Sequence, residues 1–213
     1  MFLYKMYKNK TIIQIGSHEG FTCNDPIYNV VDNTTKMFLV EPVPYLFSRL
    51  QKNYKDRFGD NANIIFINKA VSEFTGEIEM TVPSENNDFS RLPFWASQLG
   101  SINSVHATGH IPHLQVEKII VNTTTVNEIV REYGIDEIEL LHTDTEGHDY
   151  NILMAYDFNV KPRKIIFEHK HIDGLFCVGS KYTELSNRLI SLGYKKVHQD
   201  TEDTTFELTT PSF

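Results

Sequence analysis

The sequence predicts an open α/β sheet, mostly parallel, that ends in an antiparallel hairpin. Three observations carry that expectation. Short apolar runs at 11–15, 36–41, 63–67, 138–143 and 164–168 alternate with stretches of helical periodicity, which is the pattern of repeated strand–helix–strand units. The first run breaks into the loop Gly16-Ser17-His18-Glu19-Gly20, and the second ends on Glu41, 25 positions after Gly16 and about one such unit later. The last apolar runs, 194–198 and 205–208, flank the polar turn Gln199-Asp200-Thr201-Glu202-Asp203 and read as a hairpin.

Each element follows from local chemistry. Asp25-Pro26 opens a short predicted helix through Val31, since proline is tolerated in a first helical turn. Pro44 opens another, in which Leu46, Phe47, Leu50 and Tyr54 share one face. Gly76 turns the chain into Glu77-Ile78-Glu79-Met80-Thr81-Val82, whose alternation predicts a half-exposed antiparallel strand. Residues 83–115 break the rhythm and hold the single Trp and three of the nine histidines. A long irregular stretch in a compact domain is commonly functional, and Leu92, Phe94, Trp95 and Leu99 supply the apolar area to dock it, so it reads as a lid. A strand returns at 116–121, and Thr125-x-x-Glu128 is a capping box for a helix ending near Gly134. Helices are predicted around 148–155 and 181–192, the second stopped by Gly193. No internal repeat or low-complexity linker divides the 213 residues, so one domain spanning 1–213 is expected, with the lid-like insertion at about 83–115.

Composition narrows the function. A formal charge of −8 argues against a nucleic-acid partner, which favours a basic face. Cys23 and Cys177 fit no Cys-x-x-Cys pattern, so neither a disulfide framework nor a cysteine zinc site is expected. No stretch approaches the ~20 apolar residues of a membrane span, and the start is too interrupted for a signal peptide, so a cytoplasmic protein is the expectation.

In an open α/β sheet, ligands bind beyond the carboxyl ends of the strands. There this sequence places Gly16–Gly20, Glu41, Asn68, Asp144–His148 and Glu168–His171. Glycines allow close backbone approach to a nucleotide, and the later carboxylate accepts both hydrogens of a ribose diol, so a nucleoside-containing cofactor is predicted. In His142-Thr143-Asp144-Thr145-Glu146-Gly147-His148, strand alternation would project His142, Asp144 and Glu146 from one side. Such a set suits general acid–base work, and a hard-metal site is the less favoured alternative. Glu168 and Lys170 read as a local pair of small energetic weight. His106, His110 and His113 have helix-like spacing that invites a zinc reading. Gly109 and Pro112 argue against a stable helix there and no cysteine or carboxylate completes the set, so they read as loop histidines that touch substrate.

Ile-Gln-Ile-Gly-Ser-His-Glu-Gly20, Val40-Glu41-Pro42, Asn68-Lys-Ala-Val-Ser72 with Gly76, Leu140-Leu-His-Thr-Asp-Thr-Glu-Gly-His-Asp149 and Ile166-Phe-Glu-His169 occur in the order seen in FkbM-like methyltransferases. Leu92–Ser101 and Asn24–Tyr28 resemble one branch of that family, and the resemblance runs from about residue 11 to 208. It implies a Rossmann-like class I methyltransferase fold, with a mostly parallel seven-stranded sheet and a reversed last strand, that uses S-adenosylmethionine for O-methylation. Carried over by position, Gly16, Ser17, Glu19 and Gly20 border the amino-acid part of the cofactor, Glu41 holds the ribose, and Asn68 and Ala70 border the adenine. Asp144, with Glu146, His148 and His142, lies at the methyl-transfer end, facing a small-molecule or saccharide hydroxyl. The loop Gly-Ser-His-Glu-Gly departs from the Ala and Asn common in the family, and little precedes the first strand, so no amino-terminal cover on the cofactor is expected. The competing readings are a metal-dependent hydrolase using Asp144, Glu146 and His148, and a non-catalytic nucleoside-binding module. A nicotinamide oxidoreductase is disfavoured because Gly-x-Gly-x-x-Gly is missing.

Overall fold

The strands that begin and end the chain build one sheet, and a smaller sheet carries the insertion. The computed structural model describes residues 7–22, 25–60 and 63–209. Its elements are β1 (Thr11–Ile15), β2 (Lys36–Val40), α1 (Pro44–Phe58), β3 (Ile64–Ile67), β4 (Ala70–Val71), β5 (Gly76–Pro83), α2 (His106–His110), β6 (Val116–Thr124), α3 (Val126–Glu132), β7 (Leu140–Thr143), α4 (Asp149–Ala155), β8 (Lys164–Glu168), α5 (Ser180–Ser191), β9 (Tyr194–Gln199) and β10 (Asp203–Leu208).

The seven-stranded sheet has the order β3-β2-β1-β7-β8-β10-β9. All its pairings are parallel except those of β10 with β8 and β9. The expected fold is therefore present, closing hairpin included. Strand order reverses between β1 and β7, which opens a crevice at their carboxyl ends.

Alternation along the strands assigns each face. Ile13, Ile15, Phe38 and Val40 pack with Ile129, Leu153 and Leu189 on the side of α3, α4 and α5. Ile12, Met37 and Leu39 pack with Leu50 and Tyr54 of α1 on the other. Strands buried on both faces need such unbroken apolar runs, and each fully buried side chain of this size contributes about 1.5–3 kcal/mol. In α1 the buried residues are Leu46, Leu50 and Tyr54, spaced one turn apart behind a proline in the first turn.

Three details differ from expectation. Residues 26–30 form turns rather than a helix. Asp25 Oδ1 accepts from the amides of Ile27 and Tyr28, at 2.8 and 2.6 Å, and ties the segment into a tight bend. Residues 70–71, 76–83 and 116–124 form a second sheet of order β4-β6-β5, which the alternation at 77–82 only partly foretold. The third lies in the insertion. It contains 3₁₀ turns at Phe89–Arg91 and Ala96–Gln98, and it has its own small core of Ala96, Leu99, Ala107, Ile111 and Leu114. His106–His110 is helical despite Gly109, because the segment is held by that core rather than by intrinsic propensity.

The capping box forms only in part. Thr125 Oγ1 accepts from the Glu128 amide at 3.0 Å, while the Glu128 carboxylate accepts from the hydroxyls of Thr124 and Thr75. Cys23 and Asn24 lie outside the described residues, and Cys177 is an exposed free thiol. Among the described residues no helix is long and apolar enough to cross a membrane.

Candidate functional site

Two cavities meet at the crevice, and they differ in character. The first, about 760 Å³ including its open mouth, lies over the ends of β1 and β2, beside β4 and the turn after β7. Its walls include Val43, Leu46, Ala70 and Met80, with Glu41 at its edge and Ser97, Gln98 and Ile102 of the insertion closing over it. The second, about 1080 Å³, lies over β1, β7, β8 and the hairpin turn, and is lined by Asp25, His142, Glu168, Asp200, Glu202 and Asp203. Gly16, His18, Gln98 and Asp144 line both, so they mark the passage between them.

Strand ends position these groups. The amides of Gly16 and Ser17 both donate to the Val40 carbonyl at 3.0 Å, which holds the loop against the end of β2. Gly16 has φ +80°, and a Cβ there would lie 1.8 Å from the Asp144 carbonyl oxygen, so only glycine lets β1 and β7 close this seam. Gly20 has a different reason to be glycine. A Cβ on it would lie 2.6 Å from the Tyr54 ring, so it serves the packing of α1 and lines neither cavity.

Glu41 is buried at 4% exposure. Its Oε2 accepts from the His18 amide and its Oε1 from the Val43 amide, each at 2.8 Å. Burial pushes its carboxyl up to about 7, against the pull of those two amides. His18 reaches Glu41 by adopting φ +48°, its Nδ1 lies 3.2 Å from Thr22 Oγ1, and burial takes its imidazole down to about 4. The loop histidine is thus a local bonding residue that also faces both cavities.

The remaining sequence-predicted cofactor residues divide. Ser17 is buried, lines the second cavity and donates to the Gln14 carbonyl at 3.1 Å, and Ala70 lines the first. Glu19 lines neither cavity and faces Arg49 at 4.0 Å. Asn68 also stays outside both, because its Nδ2 donates to the carbonyls of Glu41 and Pro42 and staples β3 to the end of β2. Its place on the cavity wall is taken by Lys69.

The four candidate catalytic residues do not share one side. Asp144 stands exposed at the passage, where the protein crowded around it, followed by the charges of Glu146, Asp149 and Asp203, pushes its carboxyl up. His142 is buried on the floor of the second cavity. Its Nδ1 has no hydrogen-bond partner among the described residues, and burial lowers its imidazole to about 4. Glu146 leaves the alternation because β7 ends at Thr143 and Glu146 itself has φ +52°. Its carboxylate meets His106 Nε2 at 2.7 Å and lies 3.6 Å from His171 Nε2. Burial alone would raise Glu146, but the hydrogen bond to His106 and the nearby positive charges outweigh it and hold the group below the usual carboxylate range. His148 turns elsewhere, with Nε2 at 3.0 Å from Ser72 Oγ and 3.1 Å from Glu73 Oε2. Asp144, Glu146 and His148 all line the first cavity, but His148 Nε2 is engaged by Ser72 and Glu73 and does not join the other two in a ligand set. Glu168 takes the place of His148 beside Asp144 and Glu146, with ligand-capable oxygens within 4.8 Å.

The pairing of Glu168 with Lys170 is present at 3.3 Å, but Glu168 is 1% exposed rather than a surface group. His106, His110 and His171 were not assigned together from sequence. The 106/110 spacing was the available signal, and the partners that complete it come from residues 146 and 171, far along the chain. His113 is exposed and takes no part.

A family model described as "Methyltransferase FkbM domain" matches residues 14–196. A structure of an FkbM methyltransferase from Methylobacillus flagellatus shares the fold with a TM-score of 0.50 and 14% identity, over 93% of this chain and 43% of that one. This chain thus spans less than half the length of that protein. A Staphylococcus aureus protein provisionally assigned as a caffeoyl-CoA O-methyltransferase matches with a TM-score of 0.50 and 10% identity, over 94% of this chain and 76% of that one. No curated protein sequence gives a significant match. With the glycine loop, the acidic end of β2 and the reversed last strand in their expected places, and with most of its length matched, the chain belongs to the FkbM methyltransferase domain family.

Proposed function

We propose that this methyltransferase uses S-adenosylmethionine to methylate a hydroxyl of a sugar or other small polyhydroxylated molecule. The observation that carries the proposal is the meeting of an apolar cavity and a polar, acidic one at Asp144. The first suits the adenosyl half of the donor. Val43, Leu46, Ala70 and Met80 offer an apolar slot for a base. Each Glu41 oxygen accepts one amide and keeps a lone pair for a ribose hydroxyl. His18 is half-buried and faces both cavities, with the Ser97 backbone of the insertion as a further hydrogen-bonding neighbour, so its ring stands beside the place the donor would occupy. Gly16 and Ser17 would pass beside the amino-acid end.

When bound, the cofactor supplies a methyl group already activated on a sulfonium. The protein's work is then to hold the acceptor oxygen in line and to take its proton. Asp144 stands where the two cavities join and is assigned the proton, with neutral His142 below it as a hydrogen-bonding floor. His148 is a positioning residue, since its Nε2 is engaged by Ser72 and Glu73. The carboxylates around the second cavity accept hydrogen bonds from hydroxyl-rich acceptors and repel phosphates, which supports a sugar-like acceptor over nucleic acid.

Two measurements test this reading. Calorimetric titration with S-adenosylmethionine should show micromolar binding that Glu41→Ala weakens at least ~30-fold. Mass spectrometry after incubation with monosaccharides and polyols should show a product heavier by one methylene. Absence of cofactor binding in the intact protein would overturn the donor assignment. Methylation only of amine or carbon acceptors would overturn the acceptor assignment.

A further inference from the structure

Beyond the methyl-transfer reading, the insertion brings together a set of donors that the function above does not use. His106 and His110 come from α2, Glu146 from the turn after β7, and His171 from the segment after β8. One ligand-capable atom from each lies within 4.8 Å of all the others. The three imidazoles are in mutual contact, with ring centroids 4.7 Å apart for His106–His110, 4.8 Å for His106–His171 and 5.0 Å for His110–His171. We propose that these four residues bind a first-row divalent cation of the zinc type, which fastens the insertion to the carboxyl ends of β7 and β8.

A hydrogen-bond network explains the cluster poorly. Glu146 Oε2 serves His106 at 2.7 Å and is 3.6 Å from His171, too far for a good bond. Nε2 of His110 and Nε2 of His171 are buried and have no hydrogen-bond partner among the described residues, and His171 is 4% exposed overall. Buried polar nitrogens without partners are costly unless something at the site engages them. A single cation does so for all three rings at once. Three imidazole nitrogens and one carboxylate oxygen are an accepted zinc donor set, with bonds of about 2.0–2.2 Å in a tetrahedron. Closing from the present separations needs shifts of the order of an ångström, which side-chain rotation supplies. A set of four protein ligands leaves no open position, so the site holds structure rather than activating water. Trp95 and Phe176 pack on His110, with centroids 5.8 and 4.9 Å away, and restrict the cluster's contact with water.

One consequence is specific. The Phe176 amide donates to His171 Nδ1 at 3.2 Å, which places the ring proton on Nε2. Ligation through Nε2 moves that proton to Nδ1, so the Phe176 contact has to open when the cation binds.

The test uses the full chain after chelator treatment, titrated with Zn²⁺ against a chromophoric competitor and with Co²⁺ by visible absorption. One equivalent should bind, with the absorption of a four-coordinate Co²⁺ site, and should raise the melting temperature. His106→Ala and His110→Ala should each weaken Zn²⁺ binding by ~100-fold or more, since losing a ligand exceeds the 10–100-fold cost of losing a supporting partner. His113→Ala should bind as the parent does. Circular dichroism identifies any variant that fails to fold, and hydrogen exchange at the Phe176 amide, faster with zinc than without, tests the site in the unmodified chain. No stoichiometric uptake, or uptake that survives both histidine substitutions and so belongs to Asp144, Glu146 and Glu168, would overturn the proposal. Titrating the same samples with S-adenosylmethionine reports separately on the cofactor cavity.

Discussion

Glu41 and Glu146 are both glutamates at the carboxyl edge of the same sheet, both enclosed, and their acidities move in opposite directions. Glu41 ends β2 and meets only backbone amides, so burial prevails and its carboxyl rises to about 7. Glu146 sits in a left-handed turn after β7, and its hydrogen bond to His106 and neighbouring positive charge overcome a similar burial cost. Burial sets the penalty for a charge, and the partner decides whether the charge survives it. The first region therefore holds a carboxyl on backbone amides alone, and the second gathers imidazoles around one.

The seam between the two regions gives the largest expected effect. Gly16→Ala should cost more than ~3 kcal/mol and lower the melting temperature by about 6 °C or more, because Cβ would overlap the Asp144 carbonyl at 1.8 Å. A variant of near-parental stability in urea melts would show that the two regions are not held this tightly. Glu41→Ala should weaken S-adenosylmethionine binding at least ~30-fold, since hydrogen bonds to a charged acceptor contribute about 1.5–3 kcal/mol each, and calorimetry reads this directly. Asp144→Asn should lower the methyl-transfer rate by about 100-fold, within the usual range for a lost proton acceptor, while changing cofactor affinity little. An equal loss in affinity and rate would move Asp144 from proton transfer to cofactor binding.

The pH dependence sharpens the contrast. Glu41 has its folded value raised from 4.5 to about 7, so folding takes up a proton between those values. Its contribution to stability is fully present below pH 4.5 and is lost as pH rises through about 7, on the order of 3 kcal/mol in all. Denaturant melts from pH 4 to 8 should show this slope in the parent and not in Glu41→Gln. Cofactor binding should run the other way, strengthening as pH rises to about 7, because the ribose diol needs the carboxylate. The smallest effect is expected at Glu19→Ala. Its partner Arg49 is 4.0 Å away with a side chain 41% exposed, so stability should change by less than about 1 kcal/mol and cofactor affinity by under about threefold.

Much of this architecture was legible in the residues. The apolar runs, the prolines and glycines that bound them and the two contrasting periodicities specified the strands of the main sheet and α1, α3, α4 and α5, because these signals are local. The loop after β1 and the acid after β2 located the crevice for the same reason. Less legible was anything that depended on which segments meet. The helix expected at 25–31 gave way to a bend held by Asp25, and α2 formed despite Gly109 because a tertiary core holds it.

Sequence alone thus determined the succession of the main-sheet strands with α1, α3, α4 and α5, the family, and the end of the sheet where the crevice opens, since hydrophobic period and turn residues act over a few positions. Only the tertiary structure decided that Glu19, Gly20 and Asn68 serve packing and stapling, that His148 turns to Ser72 and Glu73, and that Glu146 joins His106, His110 and His171. Those outcomes depend on contacts between residues tens of positions apart and on one left-handed backbone angle at Glu146, and neither leaves a periodic trace in the chain.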